Sequence, residues 1–162
     1  EGLIQQLFYE LFYQLKKGGA NVILLISGHY GPVQEGAVVR AGQIFARENP
    51  DIGIIAKAEY FGAKVGEDMP CDHAGKWETS MYMYLFPQDA GRVLADLRTD
   101  VAPMKIYPSP PNDYYKEDAQ WVWTNDVMSS SASRGREAVK SIVDISVQEI
   151  KIMLKEKVTE YE

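Results

Sequence analysis

Cysteine is nearly absent from this sequence. Cys71 stands alone, so no disulfide framework holds the fold. Long hydrophobic runs are missing too. A bilayer span needs roughly 20 apolar residues, and the longest run near the start, Val22 to Ile26, is strand-sized. The first segment is not expected to be a leader, because Glu1, Gln5, Gln6 and Glu10 break up its apolar residues. The expected compartment is therefore the reducing cytoplasm, with no membrane partner. Basic charge is in deficit: 17 Lys and Arg stand against 23 Asp and Glu, a net charge of −6. The densest basic stretch, Arg134 to Lys140, is interrupted by Glu137. Nucleic-acid binding normally needs a basic patch or stripe, so no nucleic-acid partner is expected. Neither G-x-G-x-x-G nor G-x-x-x-x-G-K-[ST] occurs, which removes the nucleotide-binding signatures. Histidine is scarce, with only His29 and His73.

What is present describes a globular chain. Its 162 residues suit one domain, and 46% apolar with 11% aromatic residues exclude intrinsic disorder. Leu3, Ile4, Leu7, Phe8, Leu11, Phe12 and Leu15 recur at helical spacing, which predicts a helix over 3–17 with one apolar stripe. Lys16 and Lys17 suit its last turn, and Gly18 and Gly19 its end. Asn21 to Ile26 is a short apolar run bounded by turn residues, the mark of a buried strand. Residues 33–48 read as a second helix and Ile52 to Ala58 as a second buried strand. Gly75 to Phe86 reads as a helix stopped by Pro87. Val93 to Leu97 is a short helix or strand, Pro103 to Pro111 is irregular, and Gln120 to Trp123 is a short strand. Ser129 to Ser133 offers N-caps to a long last helix, from about Ala132 to Val158. Helices alternating with buried strands predict an α/β fold with a parallel sheet and helices on both faces. Sites in such sheets lie in the loops at the C-terminal ends of the strands.

Both histidines fall in such loops. His29 sits in Ser27-Gly28-His29-Tyr30-Gly31-Pro32, directly after the first strand, and His73 sits in Cys71-Asp72-His73-Ala74-Gly75, directly before a helix. A single histidine there is as well explained by a hydrogen-bonded surface residue; two out of two, each beside glycines, point to a site. Gly28, Gly31 and Gly75 are the expected loop-shaping residues, since glycine permits sharp turns and close approach of a ligand. Glu78 would open the helix after His73. It reads either as a carboxylate at a helix N-terminus or, with His29, as a ligand for zinc, manganese or iron. Asp72 reads either as a solvated loop residue, the better-supported account, or as the group that orients His73, and Tyr30 reads equally as a residue packed over the loop or as one lining a substrate pocket.

Two blocks carry a resemblance. Leu25-Ile26-Ser27-Gly28-His29-Tyr30-Gly31, followed by Asp72-His73-Ala74-Gly75-Lys76-Trp77-Glu78-Thr79-Ser80, is similar to the creatininase (creatinine amidohydrolase) family. That family carries a strand ending in Asn-Gly-His-Gly-Gly-Asn or a variant, and later a His-Ala-Gly-x-x-Glu-Thr-Ser block opening a helix. The resemblance implies a three-layer α/β/α fold over one domain, 1–162, and a metal-dependent amidohydrolase acting on a carbon–nitrogen bond of a small cyclic or linear amide. It implies a divalent metal centre (Zn, Mn or Fe), dinuclear in a complete protein. His29 and Glu78 would be ligands, and His73 the proton shuttle to the leaving nitrogen. Two metals would polarise the carbonyl and activate a bridging water, with His73 as general acid.

The departures shape the expectation. Ser27 and Pro32 replace the outer asparagines of the first block. Gly31 stands where creatininase proper has a glutamate, which argues against creatinine itself. The family's opening Glu-x-His segment and its following Asp, source of the other ligands, have no counterpart here. The expected domain is therefore incomplete at its N-terminus, and the chain alone is expected to be inactive or nearly so. It is expected to form a homo-oligomer or to pair with the missing segment. The rival reading is a non-catalytic α/β module with a degraded metal site, acting by binding or assembly.

Overall fold

The computed structural model describes residues 2–29, 31–72, 74–93, 95 and 127–159. The helices are α1 (Gly2–Lys17), α2 (Pro32–Glu48), α3 (Lys76–Leu85), α4 (Ala90–Val93) and α5 (Ala132–Thr159), with a 3-10 turn at Val127–Ser129. The strands are β1 (Val22–Ser27) and β2 (Gly53–Ala58). The expected elements up to α3 and the last helix appear with ends shifted by a residue or two. Of the element expected at Val93 to Leu97 only Val93, in α4, and Ala95 are described; the rest of it, like the strand expected at Gln120 to Trp123, lies outside the described residues. No described helix is long and apolar enough to cross a membrane. The chain forms two compact units, Glu1–Gly62 with Ile142–Glu162, and Ala63–Ser141.

The first unit is a small α/β/α sandwich. β1 and β2 run parallel, in register from Val22 opposite Gly53 to Ser27 opposite Ala58. Side chains alternate across the sheet. Ile23, Leu25, Ile54 and Ala56 face α1 and α2, where Phe12, Ala41, Phe45 and Ile52 complete one core. Phe45 meets Tyr9 edge-on at 5.1 Å and Phe12 at 5.5 Å. Gly42 lets α2 lie against β2, since a Cβ there would stand 2.6 Å from that of Ala56. The opposite face carries the second half of α5: Met153 packs on Gly53, and the buried Lys57 reaches Glu149 at 2.5 Å and the Phe61 carbonyl at 3.1 Å.

α1 departs from the single apolar stripe that its spacing predicts. Phe12 is buried and Ile4, Phe8 and Tyr9 are half-buried, whereas Leu3, Leu7, Leu11 and Leu15 are exposed. The helix buries its aromatic arc, with Tyr9 donating to Glu48 at 2.6 Å and Lys16 reaching Asn49 and Asp51. It ends where glycine was expected to end it: Gly19 takes φ +93°, and its amide donates to the Lys16 carbonyl at 2.9 Å.

In the second unit, α3 and the start of α5 meet closely. A Cβ at Gly135 would run into the Ser80 carbonyl group. Ser80 is fully buried, and its hydroxyl accepts from the Ser131 amide at 2.9 Å. Ser131 in turn accepts from the Arg134 amide at 3.2 Å, the N-cap expected in the Ser129 to Ser133 stretch. The buried Trp77 carries Lys76 and Arg134 as cations over its ring, at 5.3 and 5.8 Å.

Candidate active site

In the first unit the candidate residues lie where β1 and β2 end. Ser27, the last residue of β1, is buried and organises the loop. Its Oγ donates to the His29 carbonyl at 3.1 Å and accepts from the His29 amide and from Gln34 Nε2, at 3.4 and 3.3 Å. His29 itself is exposed. Gly31 is the residue before α2, and its carbonyl accepts from the Gln34 and Glu35 amides. A side chain at Gly31 would collide with Nε2 of His29, so this glycine leaves room for the imidazole. Its φ of −68° is ordinary. Gly28 has open space where a Cβ would lie, so nothing around it requires glycine. Tyr30 lies outside the described residues.

Sequence reasoning passed over two neighbours on this edge. Glu35, in the first turn of α2, accepts from the Tyr60 hydroxyl at 3.0 Å, just beyond β2. The available signal was position: an acidic residue opening the helix after β1 and a tyrosine in the loop after β2, both at strand ends.

In the second unit the candidate residues form a reciprocal cap on α3. Asp72 accepts from the Trp77 amide at 2.6 Å with one carboxylate oxygen and from the Glu78 amide at 3.0 Å with the other. Glu78 reaches back and accepts from the Ala74 amide at 2.6 Å. These bonds answer helix-start amides that otherwise lack partners. Ala74 takes φ +46°, the one described residue other than glycine with positive φ. That conformation costs a non-glycine residue about 1 kcal/mol or more, and the Glu78 carboxylate holds it. Gly75, by contrast, has φ −96°. The turn's strain thus falls on the residue next to His73, which itself lies outside the described residues. Asp72, expected to orient His73, uses both carboxylate oxygens on the backbone of α3.

The metal expectation rests on His29 and Glu78. Two donors fall short of the three protein ligands of a catalytic zinc site. Among the described residues no group of three His, Cys, Asp or Glu stands close enough to hold a metal. The described residues therefore do not make a metal centre on their own.

Comparison with known proteins identifies the lineage of this geometry. The family model for creatininase, described as creatinine amidohydrolase, matches residues 2–150. The chain belongs to the creatininase family. A search of curated proteins gives no match. Among solved structures, a creatininase variant complexed with creatine superposes with a TM-score of 0.60 at 19% identity, over 96% of this chain and 64% of that one. The shared fold is the α/β creatininase fold, and this chain spans under two thirds of that protein's length.

Proposed function

We propose that this chain carries part of the site of a metal-dependent amidohydrolase that cleaves a carbon–nitrogen bond in a small cyclic or linear amide. The observation that carries the reading is the cap around Ala74. Glu78 holds the strained backbone of Ala74, the residue after His73, while Asp72 caps the helix that carries Glu78, and backbone strain of this kind is concentrated at functional sites. In this reading His73 donates the proton that the leaving nitrogen needs, while Asp72 and Glu78 keep its loop in place. His29 projects from the β1 edge over Gly31 as a metal ligand, and Tyr30 lines the substrate pocket. Zinc, manganese or iron is the metal class. Ligands beyond His29 and Glu78 complete a dinuclear centre, and the family's Glu-x-His segment is their source. Gly31 in place of an acidic residue beside His29 favours an amide other than creatinine.

A second reading, a binding or assembly module without catalysis, draws on the same cap, because both carboxylates there already serve the backbone. The two readings separate in one experiment. Amine release from creatinine and from linear amides is measured with zinc, manganese or iron added, alongside metal analysis of the protein. His73→Ala is expected to lower turnover while leaving bound metal intact. Glu78→Gln is expected to lose metal. Turnover and metal both absent, with or without the Glu-x-His segment, would leave the module reading standing.

A further inference from the structure

Among the described residues Lys57 is the only charged one that is buried, at 6% exposure, and the proposed reaction gives it no role. It lies next to the last residue of β2, on the face turned to α5. Its ammonium donates to Glu149 of α5 at 2.5 Å and to the Phe61 carbonyl at 3.1 Å. A buried ion pair is a poor route to stability, since well-packed apolar residues of similar volume often do as well or better. What this pair does achieve is to hold a carbonyl four residues ahead, beyond the end of the strand.

That carbonyl belongs to a turn. The Phe61 amide donates to the Ala58 carbonyl at 3.1 Å, which closes a β-turn with Glu59 and Tyr60 at its centre. The Phe61 ring does not anchor the turn, because it is 62% exposed. Lys57 holds the Phe61 carbonyl, and the Glu59 amide donates to the Ser27 carbonyl at the end of β1 at 3.2 Å. Gly62 leaves the turn at φ +85°, where a Cβ would stand 3.4 Å from Ile145. Ile145, Glu149 and Met153 are spaced four apart and share one face of α5. They meet Gly62, Lys57 and Gly53 in that order, so one helix face seats both β2 and the turn.

On its other side the turn reaches the β1 loop. The Tyr60 hydroxyl donates to Glu35 at 3.0 Å. The Glu35 amide donates to the Gly31 carbonyl at 3.0 Å, and Gly31 is the residue against which the His29 ring lies. Contacts thus run unbroken from α5 to the His29 loop.

We propose that Lys57 is a positioning residue for the candidate site. Clamped by Glu149, it pins the Phe61 carbonyl, fixes the turn and so presents the Tyr60 hydroxyl to Glu35 at the strand ends, where ligands of parallel sheets bind. The proposal rests on the hydrolase reading only in taking that edge as the site. A methionine at position 57 would fill the space and leave the Phe61 carbonyl unheld.

Fluorine NMR of the whole chain labelled with meta-fluorotyrosine tests it. The Tyr60 and Tyr9 lines are assigned by their loss in Tyr60→Phe and Tyr9→Phe, and Glu35→Ala gives the Tyr60 line without its carboxylate partner. Lys57→Met is expected to move the Tyr60 line toward that position and to leave the Tyr9 line, bonded to Glu48, where it was. Should Lys57→Met fail to fold, Glu149→Gln decides, since the Glu149 side chain is 32% exposed and more tolerant of change. It is expected to move the Tyr60 line the same way by a smaller amount. A folded variant with the Tyr60 line unmoved overturns the proposal, because a purely structural Lys57 would lower stability alone. Equal movement of the Tyr9 and Tyr60 lines overturns it too, as the mark of general loosening. Failure here leaves the hydrolase reading intact, since that reading is judged on turnover and metal.

Discussion

The two units are held by different chemistry. Glu1–Gly62 with Ile142–Glu162 is organised by apolar burial: Phe12, Ile23, Ala41, Phe45 and Ile52 fill a core between a parallel strand pair and two helices. In the described part of Ala63–Ser141, polar side chains that answer backbone groups do comparable work. Asp72 and Glu78 cap α3, and the Ser80 hydroxyl takes the Ser131 amide. The apolar unit can lose a surface side chain with little consequence but not a core ring. The polar unit depends on single atoms at single places, because a buried donor or acceptor left unmet costs its full desolvation.

The largest expected effect tests the apolar side. Phe45→Ala removes a fully buried ring and should cost about 3–5 kcal/mol, read by denaturant unfolding. A loss below about 1 kcal/mol would show that the core is looser than its packing implies. Gly135→Ala tests the polar side where backbones touch. Alanine in a helix interior is normally worth about 1 kcal/mol over glycine. Here its Cβ would strike the Ser80 carbonyl group, so the sign should reverse to a loss of about 3 kcal/mol. A stabilised Gly135→Ala would mean that α3 and α5 move apart easily.

Asp72→Ala should cost about 1–2 kcal/mol, the usual range for a lost N-cap, and Asp72→Asn less, since its amide oxygen still accepts. If the hydrolase reading holds, turnover should fall more than stability does in Asp72→Ala, because the His73 loop loses its anchor. Equal stability in the wild type and both variants would remove the cap from the account of this unit.

The smallest expected effect is on pH dependence and treats both units alike. The Tyr9 phenol is raised above its ordinary value of 10.0 first by its hydrogen bond to Glu48, then by desolvation and by that carboxylate's charge. Tyr82 is raised first by its hydrogen bond to Asp89, then by that carboxylate's charge. The neutral phenol is favoured in the fold. The stabilisation is complete below the unfolded value and fades as pH rises through the raised folded one. Ultraviolet difference titration should place both above 10.0, and Glu48→Gln should bring Tyr9 back down. Tyr9 unmoved by Glu48→Gln would break the assignment.

Much of the fold and one layer of the site were legible in the residues. Helical spacing, strand-sized apolar runs and Gly-Pro punctuation located α1, β1, α2, β2, α3 and α5. The His29 and His73 loops marked the family. Those signals are local: periodicity and turn chemistry act over a few residues, so a single sequence displays them. The same locality explains the misreading of α1. Its spacing shows seven apolar positions, but which arc is buried depends on where α2 and the sheet lie. Phe12 went in and Leu7 stayed out.

The sequence by itself determined the α/β class through its periodicity and the lack of a disulfide framework through its single cysteine, and two blocks of residues carried the resemblance to the creatininase family. Tertiary structure alone decided that Asp72 serves the α3 backbone and that Glu78 holds Ala74. It also decided that Gly31 is needed for the His29 ring and Gly135 for the Ser80 carbonyl. Each of those depends on an atom meeting another in three dimensions within a few tenths of an ångström, and no count of residues along the chain contains that distance.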